Sequence, residues 1–135
     1  MTPILQTLDV TKLYASGESE LRVLNNVNIE IQKGQDICLL GASGAGKSTL
    51  LQILGTLDRP TSGDVLFQGE SLLSMNDEDL ARFRNDKMGF VFQFHHLIHE
   101  FTALENVMLP CLLAMRITIL QWPALSRLRF TTRMM

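Results

Sequence analysis

Acid disappears from this 135-residue chain after Glu105. Residues 1–115 hold eight Lys and Arg against fourteen Asp and Glu, net −6, while Arg116 to Met135 holds four arginines and no acid, net +4. A basic stretch can mean nucleic acid or anionic lipid. This one also lacks any clear period, so it reads as an aperiodic tail that was never selected to fold, as after a frameshift. A divergent C-terminal extension is the alternative, and no nucleic-acid partner is expected. Cysteine is scarce too. Cys38 and Cys111 both lie in apolar runs, which excludes a disulfide framework and suggests buried free thiols in a reducing compartment. The longest apolar run, Val107 to Met115, is broken by Pro110 and is too short to span a bilayer. The N-terminus lacks the basic, apolar and small-residue succession of a secretory signal. The length allows one domain at most, and an apolar share of 46% permits an ordinary core.

What the chain does have is Gly41-Ala42-Ser43-Gly44-Ala45-Gly46-Lys47-Ser48, which fills every fixed position of the phosphate-loop pattern G-x-x-x-x-G-K-[ST]. Chance would supply such a match roughly once in a few hundred chains of this length. Each residue type has a physical task. The glycines let the backbone wrap an anion and present its N–H groups without side-chain obstruction. Lys47 carries a point charge towards the β- and γ-phosphates, and the Ser48 hydroxyl suits Mg²⁺. The helix that starts here adds its positive end. The flanks agree with this reading. Asp36 to Leu40 is a short apolar run that reads as a strand buried on both faces. Beyond the loop, Leu50, Ile53 and Leu54 share a helical face, and Gly55 with Asp58-Arg59-Pro60 ends the helix.

Elsewhere the pattern is mixed. Ile4 to Val10 alternates as a strand, Lys12 to Glu20 reads as a polar loop, and Arg22 to Ile31 as a second strand with Val27, Ile29 and Ile31 on one face. Pro60 to Gly63 is a turn before a short strand, Asp64 to Gln68. Asn76 is an N-cap, with Asp77, Glu78 and Asp79 in the first turn and Leu80 and Phe83 on the apolar side. Met88 to Gln93 reads as a buried strand, and Thr102-Ala103-Leu104-Glu105 as a capping box. The fold class is therefore α/β: a P-loop nucleoside-triphosphatase core with an antiparallel β subdomain.

From Leu8 to Glu105 these residues resemble the first half of an ABC transporter ATP-binding subunit. Leu8-Asp9-Val10-Thr11-Lys12-Leu13-Tyr14 is similar to the family's opening motif, whose aromatic residue stacks on adenine, and Tyr14 takes that place. The phosphate loop continuing into Thr49-Leu50-Leu51, and Pro60-Thr61-Ser62-Gly63 before a strand, both follow the family's form. Gln93 after Phe90-Val91-Phe92 resembles the Q-loop glutamine, which the family uses at Mg²⁺ and the attacking water. Phe92 to Leu97, followed by Phe101 to Val107, resembles the lipoprotein-releasing (LolD-type) branch, with the macrolide-exporter type as the alternative. Without the resemblance, Tyr14 could be an ordinary surface tyrosine and Gln93 a strand cap. His95, His96 and His99 have no cysteine or carboxylate partners in their pattern, and zinc is disfavoured.

The resemblance implies ATP and Mg²⁺ as cofactors, transmembrane permease subunits and a second ATP-binding subunit as partners, and a peripheral place on the cytoplasmic face of the bacterial inner membrane. It covers residues 1–115 and sets 116–135 apart. No segment like L-S-G-G-Q, no apolar strand ending in Asp-Glu and no switch histidine occurs in these 135 residues. Phosphoryl transfer rests on positioning and charge stabilisation. A chain without those groups is expected to bind Mg-ATP yet hydrolyse poorly or not at all alone. Apolar strands left with open edges would also make it poorly soluble.

Overall fold

The computed structural model describes residues 2–17, 19–94 and 96–113, so the expectations for the tail from Arg116 onward, for His95 and for the Cys111 side chain lie outside the described residues. The chain divides into two compact units, one up to Phe90 and one from Val91.

The first unit is built on a long hairpin. Strand β1 (Leu5–Ser16) pairs antiparallel with β2 (Ser19–Ile31), from Leu5 opposite Ile31 to Ser16 opposite Ser19. Lys12 to Glu20 is thus not a loop. Tyr14 pairs with Leu21 and Ala15 with Glu20, and the turn is confined to the tip at Gly17, φ 63°. The polarity of this stretch reports a ribbon exposed on both faces, where a strand needs no apolar side. Strand β3 (Ser62–Phe67) pairs on the other side of β1, and the two-residue β4 (Glu70–Ser71) closes the order β2-β1-β3-β4, all antiparallel. A strand as short as β4 leaves no alternation to read.

The ladder slips between Thr7 and Val10. Side chains repair the break: the Thr7 hydroxyl donates to the Val27 carbonyl and accepts from the Ile29 amide, each at 2.9 Å. Four residues on, the Thr11 hydroxyl donates to the Asn26 side-chain oxygen at 2.9 Å and accepts from the Asn26 amide at 3.1 Å. Gly63 crosses β1 at this bulge. A Cβ there would stand 2.4 Å from the Asp9 carbonyl oxygen and 2.5 Å from that of Leu8.

Helices α1 (Lys47–Leu54) and α2 (Asp77–Lys87) complete the unit. Their apolar faces join the sheet in one core of Val10, Leu24, Leu50, Ile53, Val65 and Leu80, with Phe83 packed against it. Asn76 caps α2 as its sequence indicates, accepting from the Asp79 amide at 2.9 Å. Arg84 donates to the Thr56 carbonyl at 2.8 Å and so ties α2 to the end of α1.

Two expected strands do not form. Residues 36–40 and 88–93 carry no strand pairing, and most of their side chains are exposed. Leu39 reaches the core, but Leu40 is 88% exposed and Val91 fully so. Cys38 is exposed as well, not buried. A strand apolar on both faces needs neighbours along each edge and layers above and below. The four-stranded sheet supplies none of these to either segment.

In the second unit α3 (Ala103–Leu113) starts at the expected capping box. The Glu105 carboxylate accepts from the Thr102 amide at 2.7 Å, and the Thr102 hydroxyl accepts from the Glu105 amide at 3.3 Å. The Thr102 hydroxyl also donates to that carboxylate, at 2.7 Å, and this bond, followed by the one from the Thr102 amide, holds the Glu105 carboxyl below its ordinary pKa.

Candidate functional site

The phosphate loop folds as its glycines require. After a turn at Ser43 and Gly44 (φ 81°), Gly46 takes the left-handed conformation, φ 85°, as the residue that caps α1. Two conditions demand glycine at position 46. Besides the positive φ, a Cβ would lie 2.9 Å from the Val23 carbonyl oxygen and 3.0 Å from Leu24 Cδ2. At Gly44 only the dihedral matters, because nothing lies within 4 Å. β2 therefore presses directly on the start of α1.

No side chain caps α1, and no acid stands in its first turn. Its first helical bond runs from the Leu50 amide to the Gly46 carbonyl at 2.8 Å. The amides before Leu50 have no intrahelical acceptor and point out of the helix at its positive end. Lys47 folds back across the loop and donates to the carbonyls of Gly41, 2.8 Å, and Ala42, 2.6 Å. Its ammonium thus stands over the loop that supplies the amides. Ser48 is exposed beside it and Thr49 half-buried. A cluster of amides, a helix end and a primary ammonium on one small surface fit a polyphosphate. The exposed Ser48 hydroxyl fits a metal ion bound to that phosphate.

Tyr14 sits on the same hairpin. Lys12 pairs with Leu24, which touches Gly46. Two residues along β1, about 7 Å, lead to Tyr14. The residue is 38% exposed, and its hydroxyl donates to Asp58 Oδ2 at 3.0 Å. Lys12 Nζ donates to Asp58 Oδ1 and to the Arg59 carbonyl, each at 2.7 Å, and stands 5.0 Å from the centre of the Tyr14 ring. Burial raises the Asp58 pKa, but the bonds from Lys12 and Tyr14 and the Lys12 charge outweigh it, so the carboxyl lies below its ordinary value. Sequence reasoning singles out Tyr14 but not the Lys12 and Asp58 that contact it. The Lys12 signal is present, since residues two apart share a strand face. Asp58 is distant in sequence and gives none.

Gln93 lies in the second unit, exposed at a bend. Close by in sequence, the rings of Phe92 and His96 meet edge-on at 5.0 Å. Asn106 fastens the stretch that follows, accepting from the Ile98 amide at 2.8 Å and donating to the carbonyls of Ile98, Phe101 and Thr102. Among the described residues no three His, Cys, Asp or Glu side chains gather as a metal site.

The family profile described as ABC transporter matches residues 24–134. The chain belongs to the ABC transporter family. The lipoprotein-releasing system ATP-binding protein LolD of Geobacter metallireducens is 58% identical over 114 residues, 84% of this chain and 51% of that protein. LolD of Bdellovibrio bacteriovorus is 57% identical over 107 residues, 79% of this chain and 49% of the relative. Among solved structures, the ATP-binding cassette MJ0796, a dimer in a post-hydrolysis state bound to ADP and Pi, superposes with a TM-score of 0.78 at 44% identity. That match covers 83% of this chain and 48% of the cassette. The fold is that of an ABC cassette, and this chain spans about half the length of the curated relatives it matches.

Proposed function

We propose that this ABC-family chain binds ATP with Mg²⁺ through the loop Gly41 to Ser48 and hydrolyses it poorly or not at all alone. The observation that carries the reading is the uncapped N-terminus of α1 facing the Lys47 ammonium across a glycine-shaped loop. In this reading the amides of Gly44 to Thr49 hold the phosphates and Lys47 leaves its loop carbonyls for phosphate oxygens. Ser48 and Gln93 serve Mg²⁺, and Tyr14 meets the adenine. Bound Mg²⁺ would neutralise phosphate charge. The chain's own part is to bind and orient the nucleotide.

The names of its relatives support a part in lipoprotein release, and the role proposed is to energise that release from the bacterial inner membrane. The partners would then be permease subunits and a second ATP-binding subunit, as the dimeric cassette suggests. No helix among the described residues is long and apolar enough to cross a membrane, which suits a peripheral subunit held by such partners. Calorimetric titration with Mg-ATP, run beside a phosphate-release assay, tests the reading. Binding that disappears in Lys47→Ala, with no release above background, is the expected result. Undiminished binding by Lys47→Ala would remove the loop from the account, and steady turnover by the purified chain would remove the inactive state.

A further inference from the structure

We infer that Lys12 and Asp58 are positioning residues, which fix the Tyr14 ring against β1 so that its exposed surface is set to receive a purine base. This rests on the binding reading above and adds a specificity device to it. Three observations carry it. The only side-chain polar atom of Tyr14 is tied to Asp58 Oδ2 at 3.0 Å, so the ring cannot swing about its Cα–Cβ bond without breaking that bond. Asp58 is itself fixed, because Lys12 grips its other oxygen at 2.7 Å and the Arg59 carbonyl at 2.7 Å, with the Lys12 side chain only 12% exposed. The turn carrying Asp58 is then pinned to β1, since Thr61 donates its amide to the Thr11 carbonyl at 2.8 Å and accepts from the Leu13 amide at 3.0 Å.

Ordinary surface tyrosines leave the hydroxyl to water and the ring free to change rotamer. Here one carboxylate accepts from both the Tyr14 hydroxyl and Lys12, and the Lys12 ammonium lies over the ring, 5.0 Å from its centre. A ring locked before the ligand arrives costs less entropy to use than one that must be ordered on binding. The lock acts on the base alone. It does not touch the amides of the phosphate loop, so discrimination between a nucleotide and a bare polyphosphate isolates it.

Titrations of the full chain with Mg-ATP and with Mg-tripolyphosphate test this, in the wild type, Asp58→Ala and Tyr14→Phe. The wild type binds ATP more tightly than tripolyphosphate. Both variants lose about three- to tenfold of that preference, the range expected when an aromatic contact is loosened. Tripolyphosphate binding reports that the loop is folded. Tyr14→Phe decides the matter, because it keeps the ring and removes only the tether. An ATP-to-tripolyphosphate ratio unchanged in Tyr14→Phe, whatever Asp58→Ala does, or a preference absent already in the wild type, overturns the inference and leaves phosphate binding standing. A wild type that binds neither ligand overturns the binding reading itself, and this inference with it.

Discussion

Alanine at Gly44 and at Gly46 separates the two reasons a phosphate loop needs glycine. Both positions have φ near 80°, and alanine in the left-handed region costs about 1–2 kcal/mol. The stiffer unfolded chain returns about 0.4–1 kcal/mol of that. Gly44→Ala has nothing within 4 Å, so its net cost is that difference, about 1 kcal/mol or less. Gly46→Ala adds a methyl group 2.9 Å from the Val23 carbonyl oxygen and 3.2 Å from Val23 Cγ1. A backbone oxygen cannot rotate away, so an overpacking cost of about 1–3 kcal/mol comes on top. Urea unfolding followed by circular dichroism reads the contrast. At typical slopes of about 1–3 kcal/mol per molar urea, Gly46→Ala should unfold about 1 M earlier than Gly44→Ala. Equal midpoints would mean that β2 does not press on the start of α1, and the placement of the loop against the hairpin would be wrong.

Thr56 offers a stabilising change. It holds φ 56° with a buried hydroxyl that has no hydrogen-bond partner among the described residues, so Thr56→Gly relieves backbone strain and an unmet polar group at the expense of one buried methyl and some chain entropy. The net gain should be about 1 kcal/mol, read as a later urea midpoint. Gly63→Ala should cost about 3 kcal/mol or more, because its Cβ would meet two backbone carbonyls under 2.6 Å away, and a variant melting like the wild type would refute the β1–β3 crossing. Asp58 sets an acid limit. Its folded pKa lies below the ordinary 3.8, so its contribution is complete above that value and disappears as pH falls through the lower, folded one. Midpoints measured from neutral pH down past 3.8 should fall less steeply in Asp58→Asn than in the wild type.

Local signals in the sequence are realised where the chain supplies both partners. Asn76 caps α2, Thr102 and Glu105 cap α3, and Leu50, Ile53 and Leu54 turn inward. Each depends on residues a few positions apart, and the spacing alone specifies the contact. The hairpin tip was hidden because polarity says where water is, and a ribbon exposed on both faces looks like a loop. The tether of Tyr14 was hidden for another reason. Asp58 reaches it only because α1 and the turn at Pro60 bring the chain back to β1, and no local pattern encodes that return. In the loop itself the motif identified the glycines but not the Val23 carbonyl that makes Gly46 obligatory on steric grounds.

Residues 36–40 and 88–93 show what an apolar run does and does not specify. Ile37, Cys38 and Leu40 alternate with nothing polar, which is the mark of a strand enclosed by other strands and covered on both faces. Hydrophobic pattern is a demand for partners, and the demand is met only if some other segment supplies them. This chain spans about half the length of the curated relatives it matches, and the described residues offer these two runs no neighbouring strand. Leu39 alone finds the core, while Leu40 and Val91 face water. The phosphate loop escapes this dependence. It is held from one side by Val23 and Leu24 and from below by the apolar face of α1, all within the first unit. A loop can therefore keep its binding shape while the run that leads into it stays unpaired. This is the physical ground on which the proposal separates nucleotide binding at residues 41–49 from turnover.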